Sequence, residues 1–199
     1  MKRATYHHGD LRAALLEAGL TLARTGGPQA IVLREVTRAV GVAPNSAYGH
    51  FATLTALKSA VAERARVEMA TAMDGGIEAA DPVARLREVG RAYVRYALTE
   101  PGLFRTAMGG DPAGLREPAA FEDDDLPRPR RHLQRALAGL VEAGLLRPED
   151  TPRAALACWA TVHGLSIMLL DLLPQLTADE QDAAVDDALT VLIAGLRAA

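Results

Sequence analysis

The chain has 199 residues, 49% hydrophobic and 24% charged, which excludes a disordered chain and leaves room for one large or two small domains. Its single cysteine, Cys158, excludes an internal disulfide and a cysteine-only metal cluster. The net charge of −3 hides an asymmetry: residues 1–73 carry nine Lys/Arg against five Asp/Glu, residues 74–199 thirteen against twenty. A basic N-terminal part on an acidic body suits a nucleic-acid reader, though ordinary variation in surface charge produces the same split.

Lys2 and Arg3 open an N-terminal arm of the kind that lies in a minor groove, or simply frays. His7 and His8 are adjacent, so on a helix they diverge and make no metal pair. The first helix is expected from about Asp10 to Arg24, with Leu11, Leu15, Ala18 and Leu22 as its apolar stripe. Thr25-Gly26-Gly27-Pro28 breaks it. The second helical pattern places Leu33, Val36 and Val40 on one face. Gly41 permits the positive φ of a turn, Val42 plugs the space under it, and Pro44 opens a short third helix to His50. That helix holds only Ala47 and Tyr48 as apolar residues. A short helix with little apolar surface, pinned by a turn to a longer partner, is what a helix-turn-helix reader of DNA requires.

Thr53 is an N-cap for a long fourth helix to about Met73, with Leu57, Val61, Ala65 and Met69 at four-residue spacing. A linker marked by Gly75-Gly76 and Asp81-Pro82 follows. The fifth helix, about 82–99, shows Leu86, Val89, Tyr93 and Ala97 on one face. Pro101 opens a sixth with Leu103, Phe104 and Met108. Residues 109–129 read as a long loop, and the acidic run Asp123-Asp124-Asp125 within it as solvated rather than metal-binding. The next helix, about 130–146, has Leu133, Leu137, Leu140 and Gly144 in register. Thr151-Pro152 reads as an N-cap and first helical position for the helix carrying Trp159 and His163, which ends near Pro174. Its uncharged run, Ala154–Leu170, falls short of the ~20 apolar residues of a span and predicts a buried helix. The last helix, 179–197, carries Val185, Leu189, Leu192 and Leu196. No period-2 alternation survives this pass, so the chain is all-α with about nine helices. Without a basic-plus-apolar leader it is expected in the cytoplasm.

Three stretches resemble the TetR family of bacterial transcriptional regulators. The turn Gly41-Val42 and the run Tyr48-Gly49-His50-Phe51 resemble its helix-turn-helix. The N-terminal Tyr6-His7-His8-Gly9-Asp10-Leu11-Arg12 and the C-terminal Trp159-x-x-Val162-His163-Gly164 resemble one branch of it. The resemblance implies a DNA-binding domain at 1–52 joined through the fourth helix to a ligand-binding and dimerisation domain at 53–199. It implies a palindromic double-stranded operator, a homodimer through the last two helices and a small effector, with no membrane, cofactor or metal. Two cap positions depart from the family's Ser/Thr pattern, where Val32 and Ala43 stand; a lost cap hydroxyl costs typically ~1 kcal/mol. Leu54 stands where the family often has a phosphate-contacting lysine; Lys58, on the same helical face, is the substitute candidate or a solvated lysine.

By residue type, Asn45 suits a bidentate contact to adenine, Ser46 tolerates several bases, and Ala47 suits a thymine methyl or the core. Tyr48, His50 and Arg34 resemble the family's phosphate contacts, which position without specifying. Phe51 is expected in the core. Candidate effector residues are Tyr93, Tyr96, Phe104, Met108, Trp159 and His163, each also a plausible core residue. Gly164 inside a helix, which costs ~1 kcal/mol relative to Ala, suggests close helix approach. The competing readings are an architectural DNA-binding protein with a filled core and no ligand, and an all-α enzyme. The second lacks a constellation: there is no nucleophile elbow, HExxH or phosphate loop, and Cys158 and His163 lie five apart, ~140° around a helix.

Overall fold

The computed structural model describes residues 8–109 and 128–198. The arm residues Lys2 and Arg3, the start of the N-terminal motif including His7, and residues 110–127 of the expected loop with its acidic run lie outside them. Among the described residues there are nine α-helices and no strand: α1 (His8–Gly26), α2 (Leu33–Val40), α3 (Pro44–Ala47), α4 (Leu54–Asp74), α5 (Pro82–Thr99), α6 (Pro101–Met108), α7 (Pro129–Glu142), α8 (Thr151–Ile167) and α9 (Ala178–Ala198). Short 3₁₀ turns stand at Gly27–Ala30 and Pro148–Asp150, and a π turn, Met168–Leu172, extends α8. The fold class is as the sequence predicts.

The described residues form two compact units, one running to Arg66 and taking in the segment from Glu100, the other holding Val67–Thr99 and the chain from Arg128. In the first, Leu15, Leu20 and Ala23 of α1 are buried, as are Ile31, Val36, Leu57, Val61, Leu103 and Phe104. The buried stripe of α1 is therefore rotated from the expected one: Ala18 and Leu22 instead line a shallow surface groove with Ala14, Thr21, Ala39 and Val40. α6 packs against the end of α1. Gly102 is required there, because a Cβ would collide with the carbonyl oxygens of Ala23 and Arg24. Glu100 pairs with Arg24 at 2.6 Å, and Arg66 donates from Nε to the Ala107 carbonyl in the last turn of α6 at 3.0 Å.

In the second unit α5 is central, packed by α7, α8 and α9, and the expected face of Leu86, Val89, Tyr93 and Ala97 is buried. Gly90, Ala92, Val94 and Tyr96 are buried as well. Asp81 caps α5 by accepting from the Ala84 amide at 2.8 Å. Arg91 grips Asp186 of α9 with two bonds of 2.6 and 2.7 Å, and Arg87 reaches Thr190 Oγ1 at 3.0 Å. α9 begins with a capping box: Glu180 accepts from the Thr177 amide at 2.8 Å, and the Thr177 hydroxyl accepts from the Glu180 amide at 3.3 Å.

Three expectations are corrected. Gly144 does not belong to the stripe of α7; at φ 69° it ends the helix, its amide bonded to Val141 O and the Leu145 amide to Leu140 O. Thr151 is not a cap: the 3₁₀ turn before it passes into α8, and Asp150, nearly buried, is clamped by Arg147 at 2.6 Å and Arg153 at 2.7 Å. The apolar run of α8 is not a buried helix. The stretch Pro148–Leu172 is long and apolar enough to cross a membrane by length and composition, yet only 22% of its apolar window is buried. Its own unit covers one side, Ala154, Cys158, Val162, Ser166 and Leu169, and leaves Leu156, Ala160, Gly164, Met168 and Leu172 exposed.

Candidate functional site

The helix-turn-helix is built by its backbone. Neither Val32 nor Ala43 provides a side-chain cap. Instead α2 ends in a Schellman motif: Gly41 sits at φ 77°, ψ 29°, its amide bonds Arg38 O at 3.1 Å, and the Val42 amide bonds Thr37 O at 3.0 Å. Thr37 is buried and donates its hydroxyl to Leu33 O at 2.9 Å. α3 contributes one fully buried residue, Ala47; the amides of His50 and Phe51 both bond its carbonyl, at 3.0 and 2.9 Å. Phe51 is buried as expected, with the Arg12 guanidinium 5.0 Å from its ring centroid. Thr53 caps α4, accepting from the Ala56 amide at 3.0 Å.

Asn45, Ser46 and Tyr48 thus stand together on an exposed surface, Tyr48 at 53% exposure. Arg34 is exposed on the first turn of α2, while His50 and Lys58 are half-buried. Ala47 does not join them: at 0% exposure its methyl packs in the core and faces no base. Arg38, one turn after Arg34, is paired with Glu35 within α2.

A second cluster lies in the other unit, between α5 and α8. The Trp159 and His163 rings stack, centroids 5.2 Å apart at 21°, and His163 Nδ1 is 3.0 Å from the Tyr93 hydroxyl. Burial lowers the His163 pKa and raises that of Tyr93, so both are neutral at pH 7. With His163 neutral, one hydrogen suffices for the contact: either the phenol donates to Nδ1 or Nδ1–H donates to the phenol oxygen. Cys158, beside Trp159 in sequence, is buried and its thiol is pushed up to about 11, which makes it an inert core residue.

Residues 86–198 match the family model described as "Tetracyclin repressor-like, C-terminal domain", more than half of the chain. The protein belongs to the TetR family. A search of curated proteins gives no match. Among solved structures, a protein of unknown function from Rhodococcus sp. RHA1 superposes with a TM-score of 0.70 at 24% identity, covering 98% of this chain and 99% of that one. A TetR variant from Acinetobacter baumannii AYE in complex with minocycline gives 0.65 at 22%, covering 96% of each. The TetR-family regulator PfmR from Thermus thermophilus gives 0.60 at 22%, covering 92% and 98%. At these identities the likeness is one of fold. The protein is a TetR-family transcriptional regulator.

Of the six effector candidates in this TetR-family chain, four lie in the second unit and two in the first. Tyr93, Trp159 and His163 come together, and Tyr96 is buried on the same helix as Tyr93. Phe104, fully buried, and Met108, half-buried, belong to the first unit. Among the described residues nothing makes the close approach inferred from Gly164: a Cβ there meets no atom within 4 Å. The sequence assigns the partner interface to the last two helices but does not single out the residues left uncovered there, Leu156, Met168, Leu172 and Val191. A signal was present: α8 is apolar nearly all round, which a helix covered on one side by its own chain does not need.

Proposed function

We propose that this regulator is a homodimeric, cytoplasmic repressor that binds a palindromic operator and leaves it when a small, largely apolar molecule binds the C-terminal part. The observation that carries the reading is the surface of α3 and its turn, where Asn45, Ser46 and Tyr48 stand exposed on a core anchored by Ala47 and Phe51. Asn45 and Ser46 read base edges; Tyr48, His50, Arg34 and Lys58 hold phosphates. Residues 1–52 are then the DNA-binding domain and 53–199 the part that binds effector and partner. The uncovered apolar sides of α8 and α9 support dimerisation through those two helices. The neutral Tyr93, His163 and Trp159 cluster supports an uncharged effector, and minocycline bound to a protein of this fold supports an effector of that size.

Release requires two dimer arrangements that differ in recognition-helix spacing, and the effector shifts them only by its differential affinity. A coupling of ~1–3 kcal/mol weakens DNA binding about five- to 150-fold. The test begins with fragments of genomic DNA selected on the purified protein: a selected duplex should bind ~10³-fold or more tighter than random duplex at physiological salt. Equal affinities would sink the reading. Trp159 is the sole tryptophan, so small apolar compounds, minocycline among them, are then screened by its fluorescence. A compound that quenches Trp159 should also release the selected duplex, and saturating duplex should weaken that compound by the same factor.

A further inference from the structure

We propose that the effector is an uncharged molecule bearing a carbonyl oxygen, and that this oxygen accepts a hydrogen bond from Nε2–H of His163, a ring oriented by Tyr93 and Trp159. The inference rests on the proposal above that this cluster receives an effector, and it names the polarity of the group received. It starts from the direction of two hydrogen bonds. The Tyr93 hydroxyl has two ring partners on α8: His163 Nδ1 at 3.0 Å and the side chain of Trp159. An indole offers only its N–H, so the bond from Trp159 runs one way, into the phenol oxygen. Hydrogen bonds in a chain polarise one another, and a phenol that accepts one donates the next more strongly. The order is therefore Trp159 Nε1–H to the Tyr93 oxygen, then Tyr93 O–H to His163 Nδ1. The opposite direction at His163 would aim two N–H dipoles at one oxygen and turn the phenol hydrogen away from both rings.

A tautomer follows from that order. A neutral imidazole carries one hydrogen, and with Nδ1 accepting, it sits on Nε2. Tyr93, buried on α5, holds Nδ1, and the stack with Trp159 one turn earlier holds the plane of the ring. Trp159 and His163 themselves are half-buried, at the border between the covered residues Cys158 and Val162 and the uncovered Ala160 and Gly164. A molecule that reaches Nε2 there meets a donor, so it must bring an acceptor. A carboxylate is an acceptor but fails on charge. Beside Nε2–H it favours the imidazolium, whose Nδ1 also carries a hydrogen, and the Tyr93 hydroxyl would have to give up its bond and accept from both rings. Burial of His163 opposes the imidazolium as well. The oxygen of a ketone, ester or amide accepts from Nε2–H with no change of protonation and leaves the chain of bonds intact.

The full-length protein is labelled with nitrogen-15 in its five histidines, and proton–nitrogen correlation spectra show which ring nitrogen carries the hydrogen. The His163 signals are identified by their loss in His163→Phe. Wild-type His163 should carry its hydrogen on Nε2, a result that needs no variant to fold differently; hydrogen on Nδ1 would overturn the inference. Tyr93→Phe should admit both tautomers, and a tautomer unaltered there would overturn the role given to the phenol. Three probes of one size are then titrated into wild type and His163→Phe: acetophenone, ethylbenzene and benzoate. Acetophenone should shift the Nε2–H signal most. The ratio of acetophenone to ethylbenzene affinity should fall by about two- to 12-fold in His163→Phe, the worth of one neutral hydrogen bond in a double-mutant cycle. Benzoate should bind more weakly than acetophenone. A ratio equal in the two proteins, or benzoate the tightest of the three, overturns the inference and leaves an effector site at this cluster standing. No response of His163 to any probe up to its solubility overturns the effector reading of the cluster and this inference together.

Discussion

The surface from Ala43 to Gly49 and the outer sides of α8 and α9 are both left uncovered by their own unit, with opposite chemistry. On α3 the exposed groups are an amide, a hydroxyl and a phenol, which are solvated at little cost and gain on meeting phosphate and base edges. On α8 and α9 they are Leu156, Met168, Leu172 and Val191, at 64, 45, 66 and 74% exposure. Full cover of each such side chain is worth about 1.5–3 kcal/mol. The difference teaches that exposure has two meanings here. A polar exposed face is complete as it stands and waits for a ligand. An apolar one of this extent is half of an interior, and a second copy of the chain supplies the other half in the reading proposed above.

The sharpest way to break that comparison is to place the same charge on both faces. Leu156→Glu should leave a carboxylate buried and unpaired at the dimer interface and weaken association by about 3–5 kcal/mol, seen as monomer by sedimentation at micromolar concentration. Ser46→Glu should leave the dimer intact. Equal behaviour of the two variants would show that α8 faces water as α3 does. A finer test uses two glycines. Gly102→Ala should lower thermal stability by about 1–3 kcal/mol, because the added methyl meets the backbone of α1. Gly164→Ala meets nothing among the described residues and should gain up to ~1 kcal/mol in helix propensity. We expect it nonetheless to weaken the dimer, which is what a close helix crossing at that point requires; a dimer unchanged or tightened would put the crossing elsewhere.

The smallest effect concerns pH. The paired hydrogen bonds from Arg91 hold Asp186 below its ordinary value of 3.8. A depressed acid contributes stability that is fully present above the ordinary value and is lost as pH falls through the depressed one. Arg91→Ala should therefore lower stability near pH 7 by less than about 1 kcal/mol, the pair being partly exposed, and the gap to wild type should close in acid. Thermal melts from pH 7 down to pH 3 measure both. A gap that persists in acid would assign the loss to the packing of the Arg91 stem.

Much of the DNA-binding part was legible because its signals are local. Gly41, Pro44 and Thr53 each dictate a backbone event within a few residues, and all three events occur where the sequence places them. The boundaries of α5 were legible for the same reason, from Asp81-Pro82 before it and Pro101 after it. Periodicity was less informative where apolar residues exceed what one face can bury. It put Val185, Leu189, Leu192 and Leu196 in one stripe of α9; Val185 and Leu189 are buried together with Ile193, while Leu192 and Leu196 are half-exposed. A count of apolar residues does not say whose atoms cover them, and so α8 read as buried. The contact of Tyr93 with His163, 70 residues apart, has no local signal at all.

The Schellman turn at Gly41 has a consequence for how such a reader can change. Both of its closing bonds, to Thr37 O and Arg38 O, are made by main-chain amides, and the caps of α2 and α3 use no side chain. The pose of the recognition surface is thus written in the main chain, while its vocabulary is written in side chains that bear no part of the turn. Positions 45 and 46 can be respelled without disturbing the hinge that presents them. A small panel of substitutions there would act as an exchangeable address label on a fixed holder, and new operator preferences should arise by few steps, each leaving the melting temperature where it was.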